Sequence, residues 1–188
     1  MERYKLTLYS IGHSTRTAPA FVDLLRSFTI KHLADIRSYP GSRRYPQFRQ
    51  ESLRESVGQA GISYTWLPHL GGLRRTGLGA QSPHQALTSA AFRNYADHMD
   101  SPEFAAAVKQ LLRRGGMGRT CFMCAETAPQ RCHRLLLADY LFAQGVQVIH
   151  ILHRDRSSPD DLSPHATIRQ GRIIYAGRGH GQIALELS

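Results

Sequence analysis

The sequence predicts an α/β protein: a single three-layer domain with a mostly parallel sheet of about five strands, plus a short C-terminal β-hairpin extension. Three observations predict it. Short apolar runs alternate with amphipathic stretches of helical period, the pattern of parallel strands joined by crossovers that cover both faces of a sheet. Those crossovers pack back onto the sheet in the right-handed sense. The first run, KLTLYSIGH, is apolar and β-branched enough for a buried strand. The length, 188 residues, suits one domain and buries enough surface to fold without staples.

The elements follow in order. Lys5–His13 is the first strand, ending in Gly12-His13-Ser14-Thr15. Ser14 or Thr15 is placed to cap a helix over Ala18–Phe28, where Phe21, Leu24, Leu25 and Phe28 share one face and Pro19 sits in the first turn. His32–Ser38 is the second strand, and a loop with Pro40, Gly41 and Pro46 follows. Gln50–Ala60 is an amphipathic helix stopped by Gly61. Ile62–Leu67 is the third strand. Residues 71–88 lack periodicity and read as a flexible excursion or lid. Helices over Ser89–Met99 and Pro102–Arg114 come next, the second stopped by Gly115-Gly116. Thr120–Glu126 is the fourth strand, Gln130–Gln144 a helix, and Val146–Leu152 the fifth strand. Arg154–Pro164 reads as a linker. Ala166–Ile168 and Arg172–Tyr175 flank Arg169-Gln170-Gly171 as a hairpin, and Gly177–Gly181 reads as a mobile stretch. The organisation expected is an α/β domain over 1–152 and a linker with hairpin over 153–188.

Charge narrows the class of partner. The formal net charge is +10, and 21 of the basic residues are Arg against three Lys. Such an excess favours an anionic ligand: phosphate, a nucleotide or nucleic acid, whose oxygens the guanidinium fork binds bidentately. Codon bias toward Arg and plain solubility explain the same excess. No apolar run reaches membrane-spanning length, so no membrane partner is expected. Three cysteines make no disulfide framework, and the N-terminus lacks a signal-peptide core, so the cytoplasm with reduced thiols is the expected location. A homo-oligomer is compatible with all of this. Neither a Walker sequence nor Gly-x-Gly-x-x-Gly is present, so no cofactor is identified.

Open parallel sheets bind ligands beyond the carboxyl ends of their strands. Those ends carry the unusual polar residues. Cys121 and Cys124 have opposite strand parity, so they point to opposite faces, and Cys121 belongs to the core. Cys124, at the strand end beside Arg and a helix start, is expected to have a lowered thiol pKa and to act as nucleophile. Glu126 is placed for acid–base work, with His133 and His13 as further catalytic groups. Cys132 and Arg134 lie at the start of the next helix, where free N–H groups attract anions. The alternative is that Cys124 and Cys132 are small core fillers. A metal site from Cys124, Cys132, His133 and His13 or His69 is a further alternative, although Cys-x7-Cys-His is not a standard zinc spacing.

The loop Arg37–Arg49 holds four Arg, no acid, and Tyr39, Tyr45 and Phe48, a composition suited to holding phosphates and stacking bases. Arg37, Arg43 and Arg44 are its candidate ligand contacts, with Asp35 a competing ion-pair partner for Arg37. Gly12-His13-Ser14-Thr15 is a strand-to-helix turn that can cradle phosphate through Ser14, unless Ser14 only caps the helix. His69 and Tyr95 complete the substrate-binding candidates. His150 reads as a satisfied core histidine.

Segments Ser10–Arg16 (SIGHSTR), Asp35–Phe48 (DIRSYPGSRRYPQF), Tyr64–Gly72 (YTWLPHLGG), Phe92–His98 (FRNYADH), Cys124–Ala138 (CAETAPQRCHRLLLA) and His150-Ile151 together resemble the domain-of-unknown-function 488 family. The resemblance implies a compact α/β fold and no particular reaction. Residues after 152 lie outside it.

The residues point first to an enzyme, a hydrolase or transferase acting on a phosphate-bearing, nucleic-acid-related substrate. In it Cys124, Glu126 and His133 carry chemistry, and Arg37, Arg43, Arg44 and Arg134 hold the anion. A non-catalytic nucleic-acid-binding module is the main alternative, and a metal-binding or thiol-redox protein a third.

Overall fold

The computed structural model describes residues 4–176. The stretch Gly177–Gly181 lies outside the described residues. Strands β1 (Leu6–Gly12), β2 (His32–Asp35), β3 (Ser63–Trp66), β4 (Thr120–Cys124), β5 (Val146–His153) and β6 (Arg156–Pro159) form one sheet in the order β3-β2-β4-β1-β5-β6. The first five are parallel, and β6 pairs antiparallel with β5. Helices α1 (Ala18–Ser27) and α2 (Gln50–Gln59) cover one face. On the other lie α3 (Ala90–His98), α4 (Pro102–Met117) and α5 (Arg134–Ala143). Strands β7 (Thr167–Arg169) and β8 (Arg172–Ile174) make a separate hairpin.

The topology follows from burial. The chain steps outward from β1 to β2 to β3 and uses α1 and α2 to cover Tyr9, Ile11, Leu33, Cys121 and Met123. It then returns to insert β4 between β2 and β1, and α3, α4 and α5 cover Leu8, Ala34, Phe122 and Cys124. Alternate residues of β4 therefore enter opposite cores, and Cys121 and Cys124 face opposite ways, as strand parity requires. The reversal of direction places a switch point between β1 and β4, where such sheets open a crevice at their carboxyl edge.

Four local departures from the sequence reading have physical causes. The segment read as a linker contains β6, which pairs through backbone alone and carries no apolar signature; its Pro159 is tolerated at a sheet edge. Helix α4 runs through Gly115-Gly116 to Met117, because a bare Gly115 lets the helix close on Leu6 and Leu8. Thr17, rather than Ser14 or Thr15, caps α1 by accepting from the Ala20 amide. The expected Gln130 start of α5 is replaced by a 3-10 turn over Pro129–Arg131, which leaves Cys132 extended and α5 beginning at Arg134.

The C-terminal segment packs on the domain. The Tyr175 hydroxyl donates to Asp139 on α5 at 2.7 Å, and the Ser163 amide donates to the same carboxylate at 2.8 Å. Gln170 and Gly171 both have positive φ, the conformation of a tight two-residue hairpin turn. Among the described residues no helix is long and apolar enough to cross a membrane.

Candidate active site

The carboxyl ends of β1 and β4 are clamped together. The His13 amide donates to the Cys124 carbonyl and the Ser14 amide to that of Ala125, each at 2.9 Å. A Cβ at Gly12 would stand 1.7 Å from the Glu126 carbonyl oxygen, so only glycine lets the turn after β4 approach this closely. Arg16 ties the end of β1 to β5 by donating to the Gly12 and Leu152 carbonyls.

Beneath that turn lies Arg134, the first residue of α5 and 1% exposed. Its guanidinium donates to the Glu126 and Thr127 carbonyls, to the Ser10 hydroxyl at 3.4 Å and to the Cys132 sulfur at 3.4 Å. Among the described residues it makes no ion pair with a carboxylate. A buried cation without a carboxylate needs another source of negative charge. The sulfur of Cys132 is the one at hand.

Cys124, Cys132 and His133 gather their Sγ and Nδ1 atoms within 4.8 Å of one another. His133 Nδ1 stands 3.6 Å from Cys132 Sγ and 3.9 Å from Cys124 Sγ. Burial opposes ionisation of Cys132, but the hydrogen bond from Cys124, the His133 imidazole and the Arg134 charge outweigh it and hold its thiol well below the ordinary range. Cys124 is driven the other way, first by its hydrogen bond to Cys132 and then by burial. Within the pair, Cys132 is the sulfur whose ionisation the surroundings favour and Cys124 the one whose proton they hold. The lowered pKa that the sequence leads one to expect at Cys124 falls instead to Cys132, which takes the hydrogen bond from Cys124 and lies beside His133 and Arg134.

Two adjoining cavities of about 390 Å³ each open at this edge. One is walled by Leu73, Phe92 and Tyr95 and floored by Cys124, Cys132 and His133. The other is polar, lined by His13, Ser14, Thr15, Ser42, Arg44 and Thr127. Arg37, Tyr39, Ala125 and Glu126 line both and form the divide. Glu126 is exposed there, and Tyr39 is 77% exposed.

His13 is stacked on Phe48 at 4.1 Å and donates from Nδ1 to the Ser14 carbonyl, which leaves Nε2 as an acceptor. Burial pushes its pKa down to about 4 against the opposing pull of the Ser14 bond. Arg37 is held by Asp35 in a buried ion pair at 2.6 Å, with Tyr64 donating to the same carboxylate, so much of its charge is already compensated. Arg43 is exposed and lines neither cavity, and neither does the exposed side chain of His69. Tyr95 is fully buried; its hydroxyl donates to the Leu70 carbonyl and its ring meets His133 edge-on at 5.1 Å. His150 bridges the Ser10 hydroxyl and Asp160 at 2.6 and 2.8 Å, as a satisfied core histidine.

Arg74 is not among the candidates the sequence offers, because it lies in the segment 71–88, which reads as a flexible excursion or lid. That segment is pinned: the Leu78 amide and Ser82 hydroxyl donate to Asp97, and Asn94 donates to the Arg74 carbonyl. Arg74 lines the apolar cavity and donates to the His69 carbonyl, and its buried Nε has no partner. Gly72 makes room for the His133 ring, which a Cβ there would meet at 2.4 Å.

This arrangement sets two cysteine sulfurs and an imidazole at the floor of one cavity, with cations and hydroxyls around the other. The same two sulfurs and Nδ1 are also a compact donor set for a soft divalent cation. Two features weigh against that use. His133 Nε2 is buried without the outer partner that orients a ligating imidazole, and the Arg134 cation already faces Cys132. No curated protein and no solved structure matches the chain. Residues 17–141 match the family described as domain of unknown function DUF488, and the chain belongs to that family.

Proposed function

We propose that the protein is a thiolate-dependent hydrolase or transferase acting on a phosphate-bearing, nucleic-acid-related substrate. The observation that carries the reading is the buried Arg134 guanidinium, unpaired with any carboxylate among the described residues and set against Cys132 at the floor of an open cavity. Cys132 is the nucleophile. Its sulfur bonds to the electrophilic centre of the substrate while the leaving group departs with the bonding electrons. Water then attacks that centre, gives its proton to Glu126 at the cavity divide, and expels the sulfur as thiolate; Glu126 passes the proton to the leaving group. An acceptor other than water makes the same cycle a transfer. His133 hydrogen-bonds the thiolate, and Arg44 with Ser14 and Ser42 suits the anionic part of the substrate in the polar cavity.

The test pairs binding with turnover on nucleotides and short single-stranded nucleic acid. Arg44→Ala and Arg74→Ala should weaken binding and flatten its salt dependence by about one unit of slope each. Cys132→Ser should abolish turnover and a covalent mass adduct while sparing binding. Turnover that survives Cys132→Ser defeats the catalytic reading. Binding without turnover in the unaltered protein favours a binding module instead, a reading supported by the exposed Tyr39 ring within the Arg37–Arg49 loop.

A further inference from the structure

We infer that Cys132 and Cys124 also form a hydroperoxide-responsive pair, in which Cys132 is oxidised to a sulfenic acid and Cys124 resolves it to a disulfide. The inference rests on the same Cys132 thiolate as the proposed function, and it adds a substrate class and a regulation of that site.

Three features carry it. The two sulfurs lie within 4.8 Å of one another on a cavity floor, and the cavity of about 390 Å³ admits a small hydroperoxide. Arg134 directs its Nε–H at Cys132 Sγ, so a cation sits where negative charge moves from sulfur to peroxide oxygen. Cys132 is held in extended backbone between a 3-10 turn and α5, outside any regular element, so it can swing toward Cys124 without unwinding a helix. The third cysteine, Cys121, is fully buried on the opposite face of the sheet and serves as an internal reference.

The chemistry balances in two steps. The Cys132 sulfur attacks the distal peroxide oxygen; an S–O bond forms, the O–O bond breaks, and the departing alkoxide takes a proton from water. The Cys124 sulfur then attacks the sulfenic sulfur; an S–S bond forms, the S–O bond breaks, and hydroxide leaves with the Cys124 proton as water. The two sulfurs supply the two electrons that reduce the peroxide to an alcohol and water. A small thiol reductant reopens the bond by exchange. Oxidation removes the nucleophile, so the same event silences the proposed reaction.

The experiment uses the full reduced chain and equimolar hydrogen peroxide, followed by non-reducing peptide mapping. A Cys124–Cys132 disulfide with Cys121 still alkylatable is expected. Cys124→Ala should accumulate a dimedone adduct on Cys132 instead. Iodoacetamide labelling at pH 6 is run in parallel, and Cys132 should react faster than Cys121 by about two orders of magnitude. Fast labelling of Cys132 without the disulfide overturns this inference and leaves the nucleophile reading standing. Slow labelling of Cys132, equal to that of Cys121, overturns both. The map of the unaltered protein decides the matter even if Cys124→Ala fails to fold. Zinc that shields both sulfurs until a chelator removes it also overturns the pair.

Discussion

Replacing Arg134 by lysine keeps the positive charge and removes the fork. The guanidinium serves four acceptors in different directions: two carbonyls of the turn after β4, the Ser10 hydroxyl and the Cys132 sulfur. An ammonium offers three donors from a single nitrogen on a compact, strongly hydrated charge, so it cannot span both the turn and the sulfur. Leaving one or two buried acceptors unsatisfied, with charge-assisted bonds lost, costs about 2–5 kcal/mol. The site is fully buried, so solvent does little to repair the loss. Urea denaturation of R134K should show a lower midpoint with an unchanged slope. Ultraviolet absorbance of the thiolate, followed against pH, should show Cys132 ionising at higher pH than in the parent. A midpoint shift below about 0.5 kcal/mol together with an unmoved thiolate transition would refute the argument, because the guanidinium would then be neither clamp nor counter-ion.

Two buried titrations should oppose each other. The pKa of His13 is depressed to about 4 by burial, so its contribution to stability is present above the unfolded value of 6.5 and is lost as pH falls through 4. Asp139 is raised by burial to about 6, so its contribution is present below the unfolded value of 3.8 and is lost as pH rises through 6. Each amounts to about 3 kcal/mol at most, and the parent's stability should change little between pH 6.5 and 4. His13→Phe should gain stability on acidification across that window and Asp139→Asn should lose it, measured by urea midpoints; parallel profiles for the two variants would contradict the assignment. Gly12→Ala drives a methyl into the Glu126 carbonyl, whose oxygen Arg134 holds. It should cost about 1–3 kcal/mol or more and slow Cys132 alkylation, and a variant with normal stability and labelling rate would show that the turn is not tightly set.

Local periodicity is written in the sequence. Among the described residues, the parallel strands follow from short apolar runs, the helices from a 3.6-residue repeat, and the opposite facing of Cys121 and Cys124 from the two-residue period of a strand, each carried within its own segment. The gathering of polar residues at the strand ends follows from the alternation of elements, and it brought His13, Cys124, Glu126 and His133 to one edge. What the sequence could not carry depends on distances between segments far apart in the chain. β6 pairs by backbone alone, so its polar side chains announce nothing. The sequence offered Arg37 both a ligand and Asp35, and only the fold shows Asp35 holding it, while Arg74, in a segment without periodicity, reaches the cavity because Asp97 and Asn94 pin its loop. The fall of the lowered pKa to Cys132 rather than Cys124 is of the same kind. A thiol's readiness to ionise depends on the donors and cations a few ångströms away, and the packing of α5 beneath the turn after β4 gathers Cys124, His133 and Arg134 around Cys132.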